Sequence, residues 1–138
     1  MISDSVLNQL EDIVNSTLLE NPLPYQKGNS IRIKHIVIRK NSSGYLIYDI
    51  KENKKIAITF FKSSAIAIAK SIIDNKKSLN SILNLDKDLL KYYNDSIFYI
   101  RKIKTSNKSL VKESRKARLE ISIAKTKHIR QQIDDFIF

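Results

Sequence analysis

The chain has 138 residues, a formal net charge of +11 and no cysteine. Its length is enough for one hydrophobic core, and the lack of cysteine excludes disulfide bonds and cysteine-rich metal sites. Its apolar runs are much shorter than a membrane span. The opening residues Met1-Ile2-Ser3-Asp4 lack the basic and apolar segments of a secretory signal, so we expect a cytoplasmic protein without membrane contact.

The positive charge is distributed unevenly along the chain. Residues 1–28 carry a net charge of −3, residues 29–85 carry +8 and residues 86–138 carry +6. An acidic start followed by a basic remainder indicates a polyanionic partner. A second interpretation stays open, because an AT-rich genome would raise the lysine, isoleucine and asparagine content without any selection for nucleic acid.

The chain opens with a segment of helical periodicity. Apolar residues recur every three or four positions between residues 3 and 19, which predicts one amphipathic helix. Pro22 and Pro24 end it, because proline lacks the backbone N–H and disfavours helix in the residue before it. We therefore predict an N-terminal helix and loop over residues 1–28.

Three runs rich in β-branched and aromatic residues follow, at Ile31–Ile38, Tyr45–Ile50 and Lys55–Phe61. Polar turn segments separate them, which predicts a three-stranded antiparallel meander. The apolar alternation changes phase near His35, and either a β-bulge or a shift of the strand from edge to interior would explain the change. An alanine-rich helix over Ser63–Ile73 is predicted to pack on one face of this sheet.

The rest of the chain is predicted to be a connector and a helical hairpin. Asp86 is a good N-cap for a helix that reaches Ile103. Residues 105–107 break that helix, and a last helix covers residues 108–136. Two helices joined by a short polar break usually fold back as an antiparallel hairpin.

The predicted fold class is therefore α+β. We expect a single domain over residues 1–138, in which the βββα module occupies residues 29–75. The connector and the helical hairpin then occupy residues 76–138. The apolar hairpin faces must be buried, either on the rest of the chain or on a second copy.

The sequence offers no catalytic or metal-binding motif. His35 and His128 lack neighbouring ligands, so both are interpreted as structural histidines. Asp49, Glu52 and Lys54 loosely resemble the Asp…Glu-x-Lys order of metal-dependent nucleases, but they fall in a predicted turn, where polar residues are usual. We therefore predict a non-enzymatic protein that holds no metal and no cofactor.

Two sets of cations are candidates for phosphate binding. The first lies at the predicted turn between the last two helices and comprises Arg101, Lys102, Lys104, Lys108, Lys112, Arg115, Lys116 and Arg118. The second lies on the first strand and around the hairpin turns and comprises Arg32, Lys34, Arg39, Lys40, Lys51, Lys54 and Lys55. Tyr45, Tyr48 and Tyr99 could stack on bases, although packing explains them equally well.

The order helix, three strands, helix over residues 4–74, with Pro24-Tyr25 before the sheet, resembles the outline of double-stranded-RNA-binding domains. This resemblance implies phosphate contacts from the start of the final helix, where the chain has Lys62. A second resemblance rests on GYLIYDIKENKKIAITFFKSSAIAIAKSI (Gly44–Ile72), KYYNDSIFY (Lys91–Tyr99) and the closing FIF. These segments are similar to small proteins, without an assigned activity, of marine T4-like tailed phages. The similarity implies a viral origin and a role with nucleic acid or in the virion.

Taken together, the patterns predict a basic, phage-encoded accessory protein that binds nucleic acid through phosphate contacts, DNA in preference to RNA. The alternative is a virion structural or assembly protein whose helical hairpin contacts a viral or host protein or a second copy of the chain. A third interpretation, a modulator of a host enzyme, also stays open. The expected location is the host cytoplasm or the virion.

Overall fold

The computed structural model describes residues 8–9, 11–12, 26–27, 30–105 and 109–138. Its contacts divide the chain into two compact units. We call residues 20–87 with 131–138 the sheet unit, and residues 1–19 with 88–130 the helical unit. The expectation of a single domain over the whole chain stays a prediction.

The described part of the sheet unit contains a five-stranded antiparallel sheet whose strands lie side by side in chain order. The strands are β1 (Gln26–Lys27), β2 (Ser30–Ile33), β3 (Ile36–Asn41), β4 (Gly44–Asp49) and β5 (Lys54–Thr59). The α+β class and the antiparallel sheet are confirmed, but the prediction of three strands is wrong. The short β1 extends one edge, and the first predicted strand is two strands.

The run Ile31–Ile38 forms a hairpin rather than one strand with a bulge. Ile33 pairs with Ile36, so only Lys34 and His35 connect β2 to β3. Lys34 has a φ of 52°, a left-handed conformation that lets the chain reverse within two residues. This reversal explains the change of apolar phase near His35, because isoleucines of both strands then share one face.

The two faces of the sheet differ in burial. The register places Ile36, Ile38 and Ile47 on one face, where each is at most 1% exposed. Helix α1 (Lys62–Ile73) contacts β3, β4 and β5 and covers this face. Alternate residues of the same strands lie on the opposite face and are half-buried, such as Val37, or exposed, such as Arg39. The predicted helix on one face of the sheet is therefore confirmed.

A buried carboxylate connects the end of the sheet to the helix that follows α1. Helix α2 (Leu79–Thr105) begins well before Asp86, so the predicted N-cap at Asp86 is wrong. The Asp86 side chain is 2% exposed and accepts hydrogen bonds from the amides of Phe60 at 2.9 Å and Phe61 at 3.2 Å. Burial raises the pKa of the Asp86 carboxyl, while these two hydrogen bonds favour its ionised form. Asp86 thus supplies acceptors for two amides at the junction between β5 and α1.

In the helical unit, α2 and α3 (Ser109–Asp135) pack as an antiparallel hairpin. Ile100 and Ile103 of α2 share a buried apolar cluster with Leu119 and Ile123 of α3. Further along both helices, Lys125 of α3 lies over the ring of Tyr92 of α2, with 4.9 Å between Nζ and the ring centre. Later residues of α2 therefore meet earlier residues of α3, as the predicted hairpin requires.

The first helix whose bounds the structure gives is α1, which follows the sheet. Residues 8–9 and 11–12 are helical, and the remainder of the predicted N-terminal helix lies outside the described residues. A search of the described helices finds none that is long and apolar enough to cross a membrane.

Candidate nucleic-acid interface

The first candidate cation set lies where α2 ends and α3 begins. The guanidinium of Arg115 donates a hydrogen bond to the carbonyl of Lys102 at 3.2 Å, across thirteen residues of sequence. The Thr105 hydroxyl donates to the same carbonyl at 3.2 Å. Carbonyls in the last turn of a helix lack hydrogen-bond donors within the helix. The Arg115 side chain supplies a donor for one such carbonyl of α2 and thereby links α2 to α3. Cations of the two helices thereby become neighbours.

The predicted cations of α2 are all exposed. The Nζ of Lys102 lies 5.5 Å from the centre of the Phe98 ring, a cation–π distance. Lys104 pairs with Glu11 at 3.0 Å, so part of its charge is already neutralised. Arg101 forms no ion pair with any described residue. Arg101 and Lys102 are therefore the α2 cations most open to a phosphate group.

The cations of α3 differ in accessibility. Arg118 is exposed and Arg115 is half-buried, while the Lys116 side chain is 39% exposed. Lys116 lies 4.0 Å from Glu120, one helical turn further on. Two predicted site residues fall outside the described side chains, namely Lys108 and Lys112. Among the described side chains of this set, Arg118 thus presents the most accessible charge of α3.

A shallow groove on α2 adjoins these cations, and the sequence interpretation did not single it out. Its volume is about 430 Å³, and it is lined by Tyr93, Asn94, Ile97, Phe98, Arg101 and Lys102. Phe98 is 53% exposed, and its ring meets the Tyr99 ring edge-on at 5.5 Å. Asn94, Phe98 and Arg101 are four and three residues apart, so they lie on the same side of the helix. An aromatic residue between two polar residues at this spacing is the sequence signal that could have predicted the groove.

The second candidate set does not form one cluster. Arg32 and Arg39 lie on the sheet face opposite α1. Lys40 lies on the other face, with its Nζ 5.9 Å from the centre of the Tyr45 ring. Lys34 lies in the β2–β3 turn, and its carbonyl accepts a hydrogen bond from the Arg32 Nε at 3.0 Å. The four cations are exposed, but the hairpin distributes them over different surfaces.

The polar residues of the β4–β5 turn have a local structural role. Asp49 is buried, and its carboxylate accepts a hydrogen bond from the Glu52 amide at 3.0 Å. The remaining cations of the second set are exposed around this turn, namely Lys51, Lys54 and Lys55. Within the described residues, no three His, Cys, Asp or Glu side chains group closely enough to hold a metal ion.

Comparisons with protein-family models, curated proteins and solved structures find no match to this chain. The resemblances to double-stranded-RNA-binding domains and to phage proteins therefore stay predictions. What the chain binds has to be inferred from its charges, its apolar surfaces and their geometry.

Proposed function

We propose that this chain is a non-enzymatic accessory protein that binds nucleic acid through phosphate contacts at the junction of α2 and α3. The observation that supports this most is the 3.2 Å hydrogen bond from Arg115 to the Lys102 carbonyl, which brings cations of two helices to one end of the helical unit. The phage origin and the preference for DNA over RNA belong to the same proposal.

Arg101, Lys102 and Arg118 are the cations that would bind phosphate oxygens. All three are exposed and none forms an ion pair with a described residue, so within the described part of the chain a phosphate would break no salt bridge to bind them. Release of the counterions condensed on nucleic acid then supplies much of the binding free energy. Lys104 and Lys116 contribute less, because each already pairs with a glutamate.

Phe98 favours a single-stranded ligand. Its ring is 53% exposed and lies beside Arg101 and Lys102 in the groove on α2. Stacking of one base on an accessible aromatic ring contributes about 1–3 kcal/mol, and a duplex offers no unstacked base. We therefore expect single-stranded DNA to bind more tightly than duplex DNA.

Fluorescence anisotropy with labelled single-stranded DNA, duplex DNA and duplex RNA, each across a salt series, tests the proposal. The site variant combines Arg101→Glu, Lys102→Glu and Arg118→Glu. The control variant combines Lys76→Glu, Lys77→Glu and Lys127→Glu, which lie outside both candidate sets, are exposed and change the net charge equally. Arg115 stays unchanged, because its hydrogen bond links the two helices.

The site variant should bind at least about tenfold more weakly, with a log–log salt slope shallower by about 2 to 3, whereas the control should retain binding. Circular dichroism should show the same helix content in both variants. Equal losses in the two variants would mean that overall charge drives binding rather than this site. Absence of binding by the wild type at low salt would reject the nucleic-acid proposal.

A second candidate function, self-association or assembly through the helical hairpin, is favoured by an exposed stripe on α3. Ala117, Ile121 and Ala124 follow helical spacing and are exposed, and Ile121 is 56% exposed. Small residues beside an exposed isoleucine let another helix approach closely. Light scattering should then show an oligomer that Ile121→Lys dissociates and Lys127→Ala leaves intact. A monomeric wild type would reject this candidate.

A further inference from the structure

The sheet face opposite α1 carries an ordered set of residues that the nucleic-acid proposal does not use. Residues directly opposite each other in antiparallel strands share a face. One row across the sheet, from β2 to β5, contains Arg32, Val37, Tyr48 and Lys55. The adjacent row, from β3 to β5, contains Arg39, Leu46 and Ile58. We call these residues, together with Ile50 beyond the end of β4, the outer-face patch.

The centre of the outer-face patch is apolar and accessible. Ile58 is 37% exposed and Ile50 is 43% exposed, while the apolar side chains between them are half-buried. A depression of about 350 Å³ opens here and is lined by Val37, Arg39, Leu46, Tyr48 and Ile50. Contiguous apolar surface with a polar rim marks an interaction site more often than isolated exposed residues do.

Tyr48 is held in place within the patch. Its hydroxyl donates a hydrogen bond to the side-chain oxygen of Asn53 in the β4–β5 turn. Asn53 itself has a φ of 53°, a turn conformation that asparagine tolerates. Because its polar end is already satisfied, the Tyr48 ring offers an apolar surface and loses little rotamer freedom when a partner binds.

The charged residues of the patch itself are all positive. Arg32 on β2 and Lys55 on β5 end the first row, roughly 14 Å apart by three strand spacings, and Arg39 borders the second. Asp49 is the one acidic residue in the five described strands, and its pairing with Ile36 places it on the face that α1 covers. The patch therefore combines an apolar centre with a cationic rim.

This charge pattern discriminates between possible occupants. A second copy that docked through the same patch would bring Arg32, Arg39 and Lys55 close to their own counterparts, so like charges oppose that symmetric contact. Single-stranded nucleic acid would satisfy the cations, but stacking needs aromatic rings, and Tyr48 is the only one in the patch. Its aliphatic side chains match the apolar side chains of a polypeptide better.

We propose that the outer-face patch is a docking surface for an acidic, amphipathic segment of a partner protein. Apolar side chains of the partner enter the depression beside Val37, Leu46 and Tyr48. Carboxylates of the partner pair with Arg32 and Arg39, and such charge-assisted, bidentate hydrogen bonds set the orientation of the segment. The patch belongs to the sheet unit, so this surface does not depend on the nucleic-acid site of the helical unit.

Short labelled peptides serve as probes with the full-length protein. The test peptide alternates leucine with aspartate, and its two counterparts replace aspartate with lysine or leucine with serine. The leucine–aspartate peptide should bind and shift the NMR amide signals of β2 to β5. Each counterpart should bind at least about tenfold more weakly, since the lysine peptide lacks the negative charges and the serine peptide lacks the apolar side chains.

A matched pair of variants assigns the binding to the patch. Arg32→Glu with Arg39→Glu should weaken peptide binding at least about tenfold, whereas Lys76→Glu with Lys77→Glu should leave it unchanged. Because the Arg32 side chain also bonds the Lys34 carbonyl, Arg39→Glu alone serves if circular dichroism shows that the double variant is misfolded.

Three outcomes would overturn the docking proposal. The first is equal binding of the leucine–aspartate and leucine–lysine peptides, and the second is an equal loss in both variants. The third is a wild type that binds labelled oligothymidylate but not the peptides, when only the variant of Arg32 and Arg39 loses the oligothymidylate binding. That third result would assign the patch to nucleic acid.

Discussion

The sheet unit and the helical unit use their charged groups in different ways. In the sheet unit, Asp86 accepts hydrogen bonds from amides 26 and 25 residues earlier in the chain, and Lys70 donates to the Ile137 carbonyl at 2.9 Å. In the helical unit, Lys116 pairs with Glu120 one turn away, and both side chains are exposed. Buried polar groups with distant partners stabilise a fold, whereas exposed ion pairs contribute little. Loss of the buried Asp86 carboxylate should therefore destabilise the sheet unit, whereas loss of an exposed ion pair in the helical unit should change stability little.

The largest change in the free energy of unfolding should come from the apolar core of the helical unit. Leu119 is fully buried, so Leu119→Ala should lower the free energy of unfolding by about 2–5 kcal/mol, because it removes buried methyl groups and leaves a cavity. Lys127→Ala, on the same helix at an exposed position, is the control and should change it by less than about 0.5 kcal/mol. Urea unfolding followed by circular dichroism measures both. Equal effects would show that α3 does not pack through Leu119.

The strongest polar effect should come from Asp86. Asp86→Ala leaves the amides of Phe60 and Phe61 without the acceptors that they have in this part-buried site. We expect a loss of about 2–4 kcal/mol in the free energy of unfolding, because each orphaned group costs about 1–3 kcal/mol. Asp88→Ala, at an exposed position of the same helix, should be nearly neutral. Equal losses for the two variants in urea unfolding would show that the Asp86 hydrogen bonds do not stabilise the sheet unit.

The same carboxyl should make stability depend on pH. Burial raises the pKa of Asp86 in the folded protein above its ordinary value of 3.8, so the folded chain holds this proton more tightly than the unfolded chain. Its contribution to the free energy of unfolding is fully present below pH 3.8 and is lost as the pH rises through the raised pKa. The free energy of unfolding of the wild type minus that of Asp86→Asn should therefore fall across this window. If this difference stayed constant with pH, the pKa of Asp86 would not be raised in the folded protein.

The smallest effect should come from the exposed ion pair of the helical unit. Lys116→Ala, Glu120→Ala and the double variant form a thermodynamic cycle for a pair that is 4.0 Å apart and exposed on both sides. We expect a coupling free energy of about 0.2–0.5 kcal/mol that decreases with added salt. A coupling as large as the Asp86 effect would remove the distinction between the two units.

Local patterns predicted the elements whose formation depends on near neighbours. Two helical segments joined by a short polar break indicated the hairpin of α2 and α3, and an alanine-rich stretch indicated the helix on the sheet. The pattern near His35 was ambiguous, because a two-residue hairpin and a bulge both change the phase of the apolar alternation. Asp86 was misassigned as an N-cap for a similar reason, since the amides that it binds lie at Phe60 and Phe61, far away in sequence.

The candidate sites depended even more on tertiary structure. The second cation set spans residues 32–55, and the strands place Arg32 and Arg39 on one face of the sheet and Lys40 on the other. Leu119 and Ile121 are two positions apart on α3, and packing buries Leu119 while it leaves Ile121 exposed. The exposed ring of Phe98 was not predicted, because an aromatic residue in an amphipathic helix is usually assigned to the core.

By itself, the amino-acid sequence determined the α+β class, the positive charge, the absence of cysteine and the positions that repeat with helical or strand period. Those properties depend on composition and on residues a few positions apart. Only the tertiary structure decided which side of each element is covered, which cations meet, and which carboxylate is buried. Periodicity places residues on a common side, but whether that side faces solvent depends on segments that are distant in the chain.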